Sequence, residues 1–306
     1  MKWKIAVFVI VAGVLFTWYD YASEDFTRLE SDRREQADPT VTTSTGTMRY
    51  RVYGAGNKPA IVLIHSFNGF IESWEKNANV LADAGFRVIV YDLWGRGFSD
   101  RPRIKLSLSV FRQQLTDLMN HVGAQRAHLV GASFGAVIAA DFAIHYPERG
   151  NKVAMVGPAG WPEEGTDVSV VGTAPIIGDV LFHYFGTSFL RSTVDAYLVR
   201  PADNRWVTEH WSRFADYPGF TRSALSTLRE SPVRDYLDGW KDYGAMTIPT
   251  LILWGTRDVS FPYDNAEKIP QLMPHANVVA VEDGAHWVNV ENSDQVNHEL
   301  VRFLTD

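Results

Sequence analysis

The fold of this chain is decided by the stretch Ala127-His128-Leu129-Val130-Gly131-Ala132-Ser133-Phe134-Gly135-Ala136. An apolar run leads into a serine that stands between two glycines, and a long helical pattern follows it. A strand that turns abruptly into a helix holds its corner residue in a strained backbone conformation, and glycines two positions before and after leave room for the turn. The stretch therefore predicts that Ser133 projects clear of a sheet as a nucleophile.

Strand and helix patterns alternate on both sides of this stretch. The pattern predicts strands at 45–53, 60–64, 87–91, 129–132, 152–156, 249–254 and 277–281, and helices at 74–84, 108–122, 134–146, 263–272 and 287–304. Such alternation is typical of an α/β fold with a mostly parallel sheet flanked by helices. We assign 45–156 and 246–306 to this core. Between them, residues 157–245 predict aromatic-rich helices, which we interpret as a helical lid inserted over the carboxyl ends of the strands.

Composition limits the classes of protein that the chain can represent. Its 306 residues have room for one large domain with an insertion or for two small domains. The net charge of −7, without a concentrated basic stripe, argues against a nucleic-acid partner. The absence of cysteine excludes disulfides, thiolate metal sites and thiol nucleophiles. The histidines share no metal-ligand spacing, so we expect no metal site.

The amino terminus combines the features of a membrane segment. Lys2 and Lys4 precede the apolar run Ile5 to Tyr19, which ends in aromatic residues and is followed by acidic ones. Its length of roughly 15 residues is short for a span and also suits a signal-peptide core. We expect residues 1–22 to be a single-pass anchor with the catalytic domain on the non-cytoplasmic side; the alternative is secretion after signal cleavage. Residues 23–44 are polar, with acidic and basic residues interleaved, and predict a linker or a solvated helix.

A serine at its ordinary pKa is a weak nucleophile, so it needs a base and a third group that orients the base. His286 follows the last predicted strand, where its side chain can reach the carboxyl edge of the sheet. Asp258 follows the preceding strand and would fix the tautomer of the imidazole. Asp283 competes by proximity, but it lies in the same tight loop as His286 and reads as a turn residue.

The oxyanion of an acyl transfer needs two convergent backbone N–H groups. We expect one from Phe134, which follows the nucleophile, and one from Phe67, in the loop after the strand 60–64. For the substrate pocket we name four residues from this loop, the insertion and the last helix. They are Ser66, Trp161, Phe185 and Trp287.

The order Ser133, Asp258, His286, with His65-x-Phe67 and Gly131-x-Ser133-x-Gly135, resembles the α/β-hydrolase superfamily over residues 47 to 304. The loop Asp92-Leu93-Trp94-Gly95-Arg96-Gly97-Phe98-Ser99 is similar to the D-x-x-G-x-G-x-S loop of its lid-bearing serine hydrolases, and the amino terminus is similar to that of monoacylglycerol-lipase-like members. The family's usual His-Gly pair is His65-Ser66 here. Members with dehalogenase or epoxide-hydrolase activity use an aspartate nucleophile, and serine at 133 disfavours those activities.

The resemblance implies acyl transfer without a cofactor. We expect a serine esterase that cleaves a small apolar or lipid-like carboxylic ester through an acyl-enzyme. With the same triad, the alternatives are hydrolysis of a carbon–carbon bond in a diketone, or of an amide as in an aminopeptidase, where Glu163 and Glu164 could bind an amine. A binding protein that keeps the fold without chemistry is the alternative from another class.

Overall fold

The computed structural model describes residues 2–162 and 172–306, and its centre is one sheet. The eight described strands are β1 Thr40–Thr42, β2 Thr47–Tyr53, β3 Ala60–Ile64, β4 Val88–Tyr91, β5 Ala127–Ala132, β6 Gly150–Val156, β7 Thr250–Gly255 and β8 Ala276–Val281. Their order is β1-β2-β4-β3-β5-β6-β7-β8. The pairs β1/β2 and β2/β4 are antiparallel, and every other pair is parallel. The prediction of a mostly parallel sheet is confirmed.

Helices cover both faces of the sheet. The helices outside the insertion are α1 Lys2–Ala22, α2 Thr27–Glu35, α3 Glu75–Asp83, α4 Leu108–His121, α5 Phe134–His145, α10 Ile269–Leu272, α11 Val288–Glu291 and α12 Ser293–Thr305, with 3₁₀ turns at Ile71–Trp74 and Tyr263–Lys268. Alternate residues of β3 enter different apolar cores: Val62 and Ile64 pack on one face, and Ile61 and Leu63 on the other. The sequence of a strand that is buried on both faces is a continuous apolar run, which is why the bounds of β3 could be predicted from the sequence.

Four helices lie between β6 and β7 in the described part of the chain. They are α6 Ile177–Ala196, α7 Arg205–Ala215, α8 Phe220–Glu230 and α9 Leu237–Gly244. α6 packs on α8, while α9 packs on α5 of the core. Trp161 lies at the start of this insertion and stacks on Trp240 with ring centroids 5.8 Å apart. Glu163 and Glu164, considered above for binding an amine, lie outside the described residues.

The structure gives no support to a membrane-spanning helix at the amino terminus. Among the described residues, no helix combines the length and apolarity that crossing a membrane requires. The carboxyl-terminal half of α1 instead packs on the insertion. Phe16 and Tyr21 contact His183 of α6, with ring centroids 6.0 and 5.5 Å apart, and Thr17 is fully buried. Contacts with protein therefore occupy this part of α1.

Residues 23–44, predicted as a linker, pack on the core. They include α2 and β1, and Leu29 of α2 is buried. Arg33 is buried too: its Nε donates to the Phe98 carbonyl at 2.7 Å, and its guanidinium pairs with Asp100. Arg33, one of the interleaved charges that indicate a solvated segment, therefore makes buried contacts with the core.

Candidate active site

Ser133 lies at the sharp turn from β5 into α5. Its backbone has φ 52° and ψ −117°, a conformation that a residue with a side chain rarely adopts. Both flanking positions require glycine, because backbone atoms lie where a Cβ would be. A Cβ on Gly131 would lie 2.2 Å from the Gly135 carbonyl oxygen, and one on Gly135 would lie 2.2 Å from the Ile64 oxygen. The strand, the strained turn and the helix give the geometry expected of a nucleophile elbow.

His286 and Asp258 form a buried pair in the loops that follow β8 and β7. Nδ1 of His286 lies 2.7 Å from Oδ2 of Asp258. The other carboxylate oxygen, Oδ1, accepts the backbone N–H groups of Ser260 at 2.8 Å and Phe261 at 3.0 Å. Since a carboxylate only accepts, Nδ1 carries the imidazole proton and Nε2 has a free lone pair. This is the tautomer that a general base needs.

Gly157 is the point around which Ser133 and the His286–Asp258 pair come together. Ser133 N–H donates to the carbonyl of Val156, the residue before Gly157, at 2.9 Å. A Cβ on Gly157 would lie 3.4 Å from both Asp258 Oδ2 and His286 Nδ1. Between described residues, no hydrogen bond joins Ser133 Oγ to His286. Asp283 does not take part, because it is exposed on a turn where its N–H donates to the Thr256 hydroxyl.

The two predicted oxyanion donors are available. Within residues 2–162 and 172–306, neither the Phe67 N–H nor the Phe134 N–H has an acceptor. Phe134 begins α5, and the first N–H groups of a helix have no partner inside the helix. The carbonyl of Phe67 accepts from Arg96 Nε, and the guanidinium stacks 4.5 Å from the centre of the Phe67 ring. Arg96 thus fixes the loop that presents the Phe67 N–H.

His65 has a structural position beneath this loop. Its Nε2 accepts the N–H of Leu93 at 2.9 Å, so Nδ1 carries the proton and donates to the Ser66 carbonyl at 2.7 Å. Burial lowers the pKa of His65 to about 3, and the ring is neutral at ordinary pH. Burial likewise lowers the pKa of Arg96 to about 9. His65 is therefore a bracing residue and not a second base.

The structure does not bring the four predicted pocket residues together. Ser66 and Trp287 meet, since the indole Nε1–H of Trp287 donates to the Ser66 hydroxyl at 3.0 Å. Trp161 is buried and packs against Trp240 and Trp254. Phe185 is 64 % exposed on α6. The sequence does not show which direction each helix face takes, so it could not indicate which of these aromatic side chains lie together.

Two residues near His286 have no recognisable signal in the sequence. Tyr197, just after α6, lies against His286 with ring centroids 4.7 Å apart, and burial raises the pKa of its phenol. Asn68, in the oxyanion loop, donates from Nδ2 to Thr193 of α6 at 3.0 Å and to the Tyr197 hydroxyl at 3.4 Å. The insertion therefore contacts both His286 and the loop that contains Phe67. No group of three metal-ligating side chains occurs among the residues that the structure describes.

Comparison with known proteins matches the fold. A family model described as alpha/beta hydrolase fold matches residues 59–293. A putative non-heme chloroperoxidase of Synechocystis sp. is 32% identical over 268 residues, which cover 83% of this chain and 94% of that protein. A 2-hydroxy-6-oxo-6-phenylhexa-2,4-dienoate hydrolase of Burkholderia cepacia is 26% identical over 85% of this chain and 93% of its own length.

A solved structure with the same fold resembles the chain along its whole length. It is a membrane phospholipase A, described as a bacterial virulence factor, with a TM-score of 0.70 and 23% identity. The match covers 100% of this chain and 98% of that one, so it includes α1 and α2. At this level of identity the likeness concerns the fold.

Proposed function

Because the chain belongs to the α/β-hydrolase fold family, we propose that it is a serine hydrolase that cleaves carboxylic esters of apolar or lipid-like substrates. The observation that carries the proposal is the strained turn at Ser133, which faces the buried His286–Asp258 pair across Gly157. A serine in a strained corner beside an oriented imidazole is the arrangement that serine hydrolases use on unrelated folds. Fold alone would not suffice for this conclusion.

The reaction proceeds by acyl transfer. Nε2 of His286 takes the proton of Ser133 Oγ as the oxygen attacks the ester carbonyl carbon. The N–H groups of Phe67 and Phe134 stabilise the oxyanion, and Asp258 stabilises the imidazolium. The imidazolium then gives its proton to the leaving alcohol, and the acyl group stays on Ser133. Water, deprotonated by His286, attacks the acyl-enzyme and releases the carboxylic acid and the free serine.

An exposed apolar stripe on α6 supports an apolar substrate presented at a lipid surface. Its members recur on one side of the helix, and their exposed fractions range from 36 to 64 %; they are Ile177, Leu181, Tyr184, Phe185 and Phe189. α1, which contacts His183 on a different side of α6, carries further exposed apolar side chains, among them Leu15, Trp18 and Tyr19. Large exposed apolar patches mark membrane or partner contacts. The membrane remains the proposed partner of α1, and the non-cytoplasmic side, or secretion after cleavage, the proposed location.

This lipid-surface proposal has its own test. The protein with Phe185→Ser and Phe189→Ser is compared with wild type in flotation with phosphatidylglycerol vesicles. The double variant should float less than wild type while its activity on a short water-soluble ester is unchanged. Equal flotation of the two proteins would show that the stripe is not the lipid-contacting surface.

A second candidate function uses the same residues on a different bond. The similarity to a dienoate hydrolase supports hydrolysis of a carbon–carbon bond in a diketone. An amide or aminopeptidase substrate and a non-catalytic binding role remain further alternatives. They have no comparable observation in their favour.

A substrate panel separates these functions. Purified protein is assayed with p-nitrophenyl acetate, butyrate, octanoate and palmitate, with a 2-hydroxy-6-oxodienoate and with an amino-acid p-nitroanilide. Ser133→Ala is the control in each assay. The proposal predicts the highest kcat/KM on a long- or medium-chain ester and no turnover of any substrate by Ser133→Ala. Turnover of the dienoate alone would establish the second candidate instead.

A further inference from the structure

The hydrogen bond between Trp287 and Ser66 joins the two loops that carry the chemistry. Trp287 follows His286 directly, and Ser66 precedes Phe67 directly. The indole Nε1–H donates to the Ser66 hydroxyl at 3.0 Å, and both residues are buried. One side chain on each loop therefore forms a link between the base and an oxyanion donor.

Strand pairing does not set the distance between these loops. The Phe67 loop follows β3, and the His286 loop follows β8 at the edge of the sheet. Three strands, β5, β6 and β7, separate β3 from β8. Each ladder allows some twist, and small rotations accumulate across a sheet. A direct contact between the loops constrains their separation more tightly than the sheet does.

Trp287 is itself held in place from the insertion. Its backbone N–H donates to the Tyr197 carbonyl at 3.1 Å, and its ring lies 5.4 Å from the Tyr197 ring. Phe70 meets the indole edge-on at 6.4 Å. An indole fixed on several sides gives its N–H a defined direction. The N–H points at the hydroxyl of Ser66, which accepts its hydrogen bond. The family that the sequence resembles has glycine at this position, and glycine has no side chain that could accept the bond.

We propose that Ser66 and Trp287 are positioning residues, whose hydrogen bond sets the distance between His286 and the Phe67 N–H. This inference rests on the proposed function. The pair touches no reacting atom; it keeps the base and the oxyanion donor at the separation that the tetrahedral intermediate requires. Small errors in such a separation are costly, because a misplacement of about 1 Å can reduce rates about 100-fold.

The experiment separates positioning from simple stability. Ser66→Ala leaves a buried indole N–H without an acceptor, and Trp287→Phe leaves the hydroxyl without its donor, so each single variant should melt at a lower temperature. The double variant removes both polar groups, and most of the lost melting temperature should return. The matched control is Tyr243→Phe with Thr250→Val, which removes a buried hydrogen bond of 2.7 Å between α9 and the amino-terminal end of β7.

kcat and KM on a p-nitrophenyl ester, together with the rate of fluorophosphonate labelling, give the readout. The positioning role predicts that kcat falls about 10- to 100-fold in both single variants and in the double variant, with KM within about twofold. The labelling rate should fall in parallel, and the control pair should keep the wild-type kcat.

Other outcomes overturn the inference. Recovery of kcat together with melting temperature in the double variant would mean that the bond serves stability alone. A higher KM with unchanged kcat would mean that the two residues line the pocket. A wild-type protein that is inactive on every substrate and unlabelled at Ser133 would overturn the proposed function and this inference with it, whereas an active wild type with an unaffected double variant overturns the inference alone.

Discussion

Replacing Asp258 by asparagine changes the charge of the group that pairs with His286 while its shape is kept. Oδ1 of Asp258 accepts the N–H groups of Ser260 and Phe261, and Oδ2 accepts the proton on His286 Nδ1. In Asp258→Asn the amide oxygen must stay toward the two backbone donors, so the amide NH₂ faces His286. Nδ1 then becomes an acceptor, and the imidazole proton moves to Nε2. An Nε2 that carries a proton cannot accept the proton of Ser133.

The size of the effect follows from this change of tautomer. When the orienting aspartate of a Ser-His-Asp triad becomes asparagine, kcat falls by about 10⁴ with the geometry intact. At about 1.36 kcal/mol for each tenfold, this is a loss of about 5 kcal/mol of transition-state stabilisation. KM should change little, because Asp258 is buried behind His286. The melting temperature should also change little, since both backbone hydrogen bonds to Oδ1 remain.

Steady-state kinetics on a p-nitrophenyl ester measure the effect, and Asp283→Asn is the matched control. Asp283 is an exposed carboxylate in the same loop as His286, and its side chain makes no contact with the imidazole among the described residues. The control should keep the wild-type kcat. The reasoning fails if Asp258→Asn stays within about tenfold of wild type. It fails equally if Asp283→Asn shows the same loss.

Three further predictions follow from the contacts around the site. Arg96→Lys loses the guanidinium contacts with Phe67, so kcat on an ester should fall about tenfold; unchanged kcat would show that this loop needs no such brace. In urea denaturation, Gly135→Ala should lower the free energy of unfolding by about 3 kcal/mol, because its Cβ would overlap a backbone oxygen. The control is Gly150→Ala, whose Cβ would have its nearest neighbour 3.9 Å away and which should change that free energy by no more than about 0.5 kcal/mol; equal losses in the two variants would contradict this reasoning. The pKa of His65 is about 3 in the folded protein and 6.5 when it is free, so between these values only the unfolded chain takes up the proton. The free energy of unfolding should therefore fall by about 2 kcal/mol between pH 7 and pH 5 from His65 alone. A His65→Asn variant whose stability has the same pH slope as that of wild type would show that His65 is not the group responsible.

The sheet and the pairing of Asp258 with His286 could be predicted because their signals are local. A strand that is buried on both faces is a continuous apolar run, and β3 has the predicted bounds of 60–64. Parallel strands bring their carboxyl ends to one edge, so residues just after each strand meet there. This rule identified Asp258 and His286 as partners, although 28 positions separate them in the chain.

The parts that sequence did not predict depend on contacts between distant elements. The charges of α2 look like those of a solvated helix, and only the packed structure pairs Arg33 with Asp100 and buries Leu29. Tyr197 reaches His286 from the insertion, and no spacing rule connects the two. The sequence suggests Trp287 and Ser66 only as residues of the substrate pocket. Their hydrogen bond to each other is a tertiary fact, and it changes their proposed role from substrate contact to positioning.

Labelling of Ser133 tests the central claim most directly. The full chain is treated with a fluorophosphonate probe, and the modified residue is found by peptide mass spectrometry. The account predicts one labelled site, Ser133, with labelling lost in Ser133→Ala and much slower in His286→Ala, while both variants keep the wild-type circular dichroism spectrum. Folded wild-type protein that remains unlabelled at Ser133, or that reacts equally fast without His286, would contradict it.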